Sequence, residues 1–150
     1  MKPRLQYEQA APNAAKGLAE IEHYVRNSGL EHSLYELVKM RASQINGCAF
    51  CLDMHSIDAR RAGETEQRLY TLPAWRETPF FSERERAALE WTEAMTDISR
   101  QHISDELYEK MLKHFSEKEL VDLSMTIIAI NGWNRLAIAF HKEPGKYQPK

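Results

Sequence analysis

The densest run of reactive side chains in the sequence is Asn46-Gly-Cys-Ala-Phe-Cys-Leu-Asp-Met-His55. Gly47 suits the end of one helix and Cys48 the start of the next, which puts a Cys-x-x-Cys pair on a helix N-terminus. Unpaired N–H groups and the helix dipole there favour a thiolate, lowering a thiol pKa that is ordinarily about 8.5. At about 100° per residue, Cys48, Cys51 and His55 fall within roughly 60° of one another, on one helix face. Cys51 and His55 are an i, i+4 pair that can share a proton. The dipole favours Cys48 as the nucleophile and His55 favours Cys51, so spacing leaves that choice open. Side chains at i and i+3 have Cβ atoms about 5–6 Å apart, whereas a disulfide wants about 3.5–4.5 Å. A Cys48–Cys51 bridge therefore requires a tightened turn and is easily reduced, as a cycling disulfide must be.

Glu36 lies twelve residues before Cys48, on the preceding helix. If the two helices pack together, its carboxylate reaches the cysteine–histidine face and moves protons. Ser33-Leu-Tyr-Glu36 also has the form of a capping box, so a purely structural role for Glu36 is the alternative. Three other readings of the cysteines are weaker. Two buried structural thiols need no such spacing. A zinc site would need Cys48 and His55, about 10 Å apart along the helix, to share one ion with bonds near 2 Å. The other five histidines show no ligand spacing. Thioredoxin-like exchange needs a strand–helix–strand context, and this chain has none.

The elements that must position these residues are helices. Prolines at 3, 12, 73, 79, 144 and 149 leave two long proline-free stretches, and proline inside a helix costs about 3 kcal/mol. Gly29, Gly47 and Gly63 punctuate the first stretch as helix stops. Ser82-Glu-Arg-Glu85 and Ser116-Glu-Lys-Glu119 are capping boxes, and Thr65 and Ser104 stand at further helix starts. With apolar spacing at Leu34, Leu37, Val38 and Ile45, the pattern predicts helices near 13–28, 31–46, 48–62, 65–72, 82–99, 104–115 and 117–140. No alternating strand series occurs, so the fold class is all-α. The chain reads as one domain over 1–150, with tails at 1–12 and 142–150 and a long connection from Pro73 to Phe81. The last helix is apolar nearly all round from Leu120 to Phe140, which predicts burial and a homo-oligomer. Asn131, Asn134 and Arg135 share one side of it, and as buried polar groups they are expected to tie helices or subunits together.

Composition removes several functions. The 150 residues carry a formal net charge of −2, which offers no basic stripe for nucleic acid. Two cysteines are too few for a disulfide-stapled secreted domain. No apolar run approaches the roughly 18 residues of a membrane span, and the N-terminal residues have no signal-peptide character. The expectation is a soluble, cytoplasmic protein. No glycine-rich phosphate loop is present, so no nucleotide, flavin or metal cofactor is implied.

The run from Glu36 through Cys48 and Cys51 to His55 resembles the signature of the AhpD-like alkylhydroperoxidases in the carboxymuconolactone decarboxylase superfamily. Glu85-Arg-Ala-Ala-Leu and Asn131-Gly-Trp-Asn-Arg135 resemble other stretches of that group. The resemblance implies a helical fold assembled as dimers, trimers or hexamers, with active sites near subunit contacts. It implies a thiol-dependent peroxidase in which Cys51 attacks the peroxide, Cys48 resolves, and Glu36 and His55 relay protons. A peroxide substrate and an external dithiol or protein reductant would be the partners. One departure stands out: family members have a histidine just before the second cysteine, where this chain has Phe50. Two other functions compete: a thiol-disulfide oxidoreductase or redox sensor acting on a protein, and a decarboxylase-like lyase that works without redox-active cysteines.

Overall fold

The computed structural model describes residues 2–149. Among these residues there are eight α-helices, one 3-10 helix and no strand. They are α1 (Tyr7–Ala10), α2 (Pro12–Arg26), α3 (His32–Asn46), α4 (Ala49–Arg61), α5 (Glu66–Thr71), the 3-10 helix Leu72–Glu77, α6 (Glu83–Thr96), α7 (Asp105–Leu112) and α8 (Glu117–Ala139). The start signals act as expected. Ser82 and Ser116 form complete capping boxes with Glu85 and Glu119, and Thr65 and Ser104 accept the N3 amides of α5 and α7. Gly47 ends α3 in the left-handed conformation, at φ 69°, which a residue with a Cβ adopts only at a cost.

Helix α3 is the centre of the molecule and packs on α4, α6 and α8. On one side, Leu34 and Val38 join Ala88, Met111, Leu123 and Ile127 from α6, α7 and α8. On another, Leu37 and Met40 meet Leu69, Leu72, Trp75 and Leu89. Each fully buried Leu, Ile or Met contributes about 1.5–3 kcal/mol, against about 0.5–1.5 kcal/mol net for one hydrogen bond. Apolar packing therefore decides where α3 lies. The polar contacts then fix its register against its neighbours.

Those polar contacts include the expected asparagines. Asn46 donates to the side-chain oxygens of Asn131 and Asn134, both at 2.9 Å, and Asn134 donates to Ser43 at 3.0 Å. Asn131 donates to Thr96 at 3.1 Å and Arg135 donates to Asn131. They join α8 to α3 and α6 within one chain. Helix α8 also approaches α2 closely at Gly132, where a Cβ would stand 3.1 Å from the Leu18 side chain. Val121, Ile128 and Ile138 of the same helix are exposed.

Three segments depart from the sequence expectation. The connection after α5 is largely a 3-10 helix opened by Pro73, with Trp75 buried beneath it. Residues 2–12, expected as a tail, contain α1, whose Tyr7 is buried, and Arg4 N–H donates to the Phe140 carbonyl. Residues 142–149, also expected as a tail, lie along α4: Gly145 N–H donates to Asp53 and the Tyr147 hydroxyl to Asp58. Backbone and hydroxyl donors hold this segment, and apolar periodicity carries no trace of such contacts. The expected end tails otherwise fall on residues 1 and 150, outside the described residues.

Candidate active site

Cys48 is the N-cap of α4, and the Cys51 N–H donates to its sulfur at 3.4 Å. The two cysteines are joined as a disulfide with their Cα atoms 5.4 Å apart. Cys51 lies in the first turn of α4 and His55 one turn further on. Both are almost fully buried. The αL turn at Gly47 folds α4 back on α3, and this brings Glu36 to His55: Nδ1 of the imidazole lies 2.9 Å from Oε2 of the carboxylate. The capping box proposed for Ser33 and Glu36 does not form. Helix α3 begins at His32, two residues before that box would start it, its N-cap is Glu31 without a side-chain cap bond, and Glu36 is buried against α4 instead. Toward a Glu36 carboxylate Nδ1 is the donor, which in a neutral ring leaves the lone pair on Nε2.

Cys51, His55 and Glu36 share the wall of one cavity of about 700 Å³, whose apolar part includes Phe50, Met54, Trp133 and Ala137. Cavities of roughly 300–1,000 Å³ hold small organic ligands. Cys48 does not reach this cavity. It lines a second one of about 500 Å³, together with Gly47, Ile138 and His141. Phe50, Ala137 and Lys142 border both cavities. The Lys142 ammonium lies 4.8 Å from the centre of the Phe50 ring and donates to the Tyr7 hydroxyl. Phe50, the departure from the family pattern, is thus part of the wall between the two sulfurs' surroundings.

Several neighbours escaped the sequence reading. His32 lies one turn before Glu36, with Nε2 3.7 Å from Oε1; the i, i+4 spacing was a usable signal. Asp58 continues the Cys51–His55 stripe by one more turn and accepts the Tyr147 hydroxyl at 2.9 Å. Burial and this bond to Asp58 push the Tyr147 phenol up to about 12. Glu36, His55 and Asp58 also offer ligand atoms within 4.8 Å of one another, the set that could hold a divalent cation. Beneath them, the Lys39 ammonium donates to Glu22 and to the Tyr35 hydroxyl, and Tyr35 donates to Glu22. Lys39 is fully buried, and loss of hydration lowers its pKa despite the nearby Glu22. Burial first, and Glu22 second, raise that of Tyr35.

The family model for carboxymuconolactone decarboxylases matches residues 12–94, a span that contains Glu36, Cys48, Cys51 and His55. The uncharacterized protein YdfG of Bacillus subtilis is 47% identical over 139 residues, covering 93% of this chain and 95% of the relative. The chain belongs to the carboxymuconolactone decarboxylase family. Within that family it is an AhpD-like member. A crystal structure of a protein of unknown function from Agrobacterium tumefaciens, put forward as the antioxidant defence protein AhpD, superposes with a TM-score of 0.93 at 43% identity. The match covers 97% of this chain and all of that one. The debrominase Bmp8 superposes with a TM-score of 0.80 at 20% identity, over 92% of this chain and 74% of its own. That likeness extends to the fold alone, and one fold commonly carries several chemistries.

Proposed function

We propose that this protein is a thiol-dependent hydroperoxidase whose Cys48–Cys51 pair cycles between dithiol and disulfide. The observation that carries the reading is that Cys51 sits on an organic-ligand-sized cavity with a buried His55–Glu36 pair one turn below it. In the reduced protein, His55 takes the Cys51 proton and the thiolate attacks the distal oxygen of the hydroperoxide. The O–O bond breaks, the alkoxide leaves with a proton returned by His55, and Cys51 becomes a sulfenic acid. Cys48 then attacks the Cys51 sulfur, releases water and closes the disulfide. An external dithiol restores both thiols. The net change is one hydroperoxide and one dithiol converted to alcohol, water and the oxidised reductant.

Glu36 orients His55 and offsets the positive charge it carries when protonated. The apolar surround of Met54, Trp133 and Phe50 suits an alkyl hydroperoxide better than hydrogen peroxide. The exposed Val121 and Ile128 of α8 support assembly of several copies, and thiol cycling fits a reducing compartment such as the cytoplasm. The test is consumption of cumene hydroperoxide with dithiothreitol, comparing the native protein with Cys51→Ser and Cys48→Ser. Equal turnover in all three ends the proposal. Phe50 in the relay position keeps a second reading open, disulfide exchange with a protein partner. That reading requires a reversible Cys48–Cys51 bond with negligible peroxide turnover.

A further inference from the structure

The two cysteines of one disulfide line different cavities, and no catalytic step described so far needs that. Cys51 lines the large cavity with Glu36 and His55, while Cys48 lines the smaller cavity with His141, Ile138 and Pro144. Phe50, Ala137 and Lys142 form the partition. We propose that the smaller cavity is the entry for the thiol reductant, which attacks Cys48, so that peroxide and reductant reach the disulfide through separate doors. This rests on the cycling of the pair proposed above.

Displacement at a disulfide sulfur runs in line, so a thiolate attacking Cys48 must approach from the side away from Cys51. The smaller cavity is the one that Cys48 lines and Cys51 does not. The leaving sulfur is then Cys51, and a thiol one helical turn from an imidazole leaves readily. Regeneration therefore delivers the Cys51 thiolate directly into the peroxide cavity. The balance is simple. The first thiolate of the dithiol bonds to the Cys48 sulfur, and the Cys48–Cys51 bond breaks. The second thiolate of the dithiol attacks its own first sulfur, which frees Cys48. The dithiol loses two electrons and its two protons end on the two protein cysteines.

His141 supplies the proton acceptor for the incoming thiol. It is the one non-glycine residue among those described with positive φ, at 54°, held there because Lys142 N–H closes back on the Ala137 carbonyl beyond the end of α8. Its imidazole has no side-chain partner among the described residues. The other ionisable groups on that wall are engaged: Lys142 with Tyr7 and Glu8, and Glu143 with Lys146. Residues held outside the usual backbone regions cluster at functional sites. At pH 7 only a few per cent of a free thiol is thiolate, so a base on the wall accelerates the attack.

The experiment separates the two half-reactions. Reduction of the oxidised protein by dithiothreitol and oxidation of the pre-reduced protein by cumene hydroperoxide are each followed by quenched thiol counting. Asparagine tolerates positive φ, so His141→Asn removes the base and spares the backbone. It is expected to slow reduction about 10²-fold, to recover with added imidazole, and to leave oxidation and thermal stability unchanged. Ile138→Trp fills the smaller cavity and is expected to slow reduction only. Met54→Trp fills the larger one and is expected to slow oxidation only. If both fillings slow the same half-reaction, or if neither His141→Asn nor Ile138→Trp changes reduction, the two-door arrangement is wrong. Reduction by dithiothreitol needs no peroxide, so this outcome is distinct from failure of the peroxidase reading, which would appear as no oxidation in the native protein.

Discussion

Two buried polar clusters hold α3 in place, and they differ in the chemistry they permit. Toward α8, Ser43 and Asn46 meet Asn131 and Asn134 in a set of amides and one hydroxyl. These groups do not titrate in the physiological range, and each is satisfied by the others. Toward α4 and α2, Glu36 meets His55, and Lys39 meets Glu22 and Tyr35. Here the groups are ionisable, all but Tyr35 border a cavity, and one carboxylate oxygen of Glu22 is buried without a hydrogen-bond partner among the described residues. A satisfied neutral network fixes a geometry. An ionisable one at a cavity can also change its charge during a reaction, at the cost of burying that charge. The same helix thus carries a structural face and a reactive face less than two turns apart.

Substitutions that break one face without the other sharpen the distinction. The largest effect is expected for Cys51→Ser, which reduces cumene hydroperoxide turnover to background while the denaturation midpoint of the reduced protein stays near that of the native. Glu36→Gln keeps the shape and a hydrogen-bonding oxygen but removes the charge. Its kcat/KM should fall about 10²-fold, within the range for lost acid–base help, measured under single-turnover oxidation of the pre-reduced protein. Asn134→Leu acts on the other face. It removes one of the two acceptors of Asn46 and the donor to Ser43, should cost about 2 kcal/mol in urea unfolding, and should leave turnover per folded molecule unchanged. Activity lost in step with stability in this variant would show that the two faces are not separable.

The smallest effect expected is that of Tyr147→Phe, which removes the hydroxyl that binds Asp58. A phenol whose pKa is raised on folding contributes stability that is present below the unfolded value of 10.0 and lost as pH rises through its folded value of about 12. The native protein should therefore lose stability between pH 10 and about 12, and Tyr147→Phe should lose less over that window. Unfolding midpoints across this range provide the check. Identical slopes in the two proteins would mean that the Tyr147–Asp58 contact contributes nothing.

The sequence made the helices legible because their signals are local. Proline gaps, capping boxes and αL glycines act within a few residues, and α2 to α8 lie within a few residues of the expected spans. The four-residue helix α1 and the 3-10 helix carry too little periodicity to read. The reactive pair and His55 were legible because they share one helix face. Glu36 was ambiguous, since a capping box and a hairpin contact look alike along the chain, and only the packing of α3 on α4 separates them. Tyr147 and Lys142 were out of reach, because their partners lie 89 and 135 residues away. The partition of the two sulfurs between cavities is likewise a property of the fold, since α8 supplies Ala137 and Ile138 to its walls.

The most direct measurement is the site of oxidation by one equivalent of cumene hydroperoxide in singly substituted, pre-reduced protein. In Cys48→Ser, a sulfenic acid on Cys51 should form and be captured by a dimedone-type probe, read by peptide mass. In Cys51→Ser, Cys48 should stay unoxidised on the same timescale. Oxidation of Cys48 in the absence of Cys51, or no adduct in either variant, would contradict the assignment of the Cys51–His55–Glu36 face as the place where peroxide is reduced.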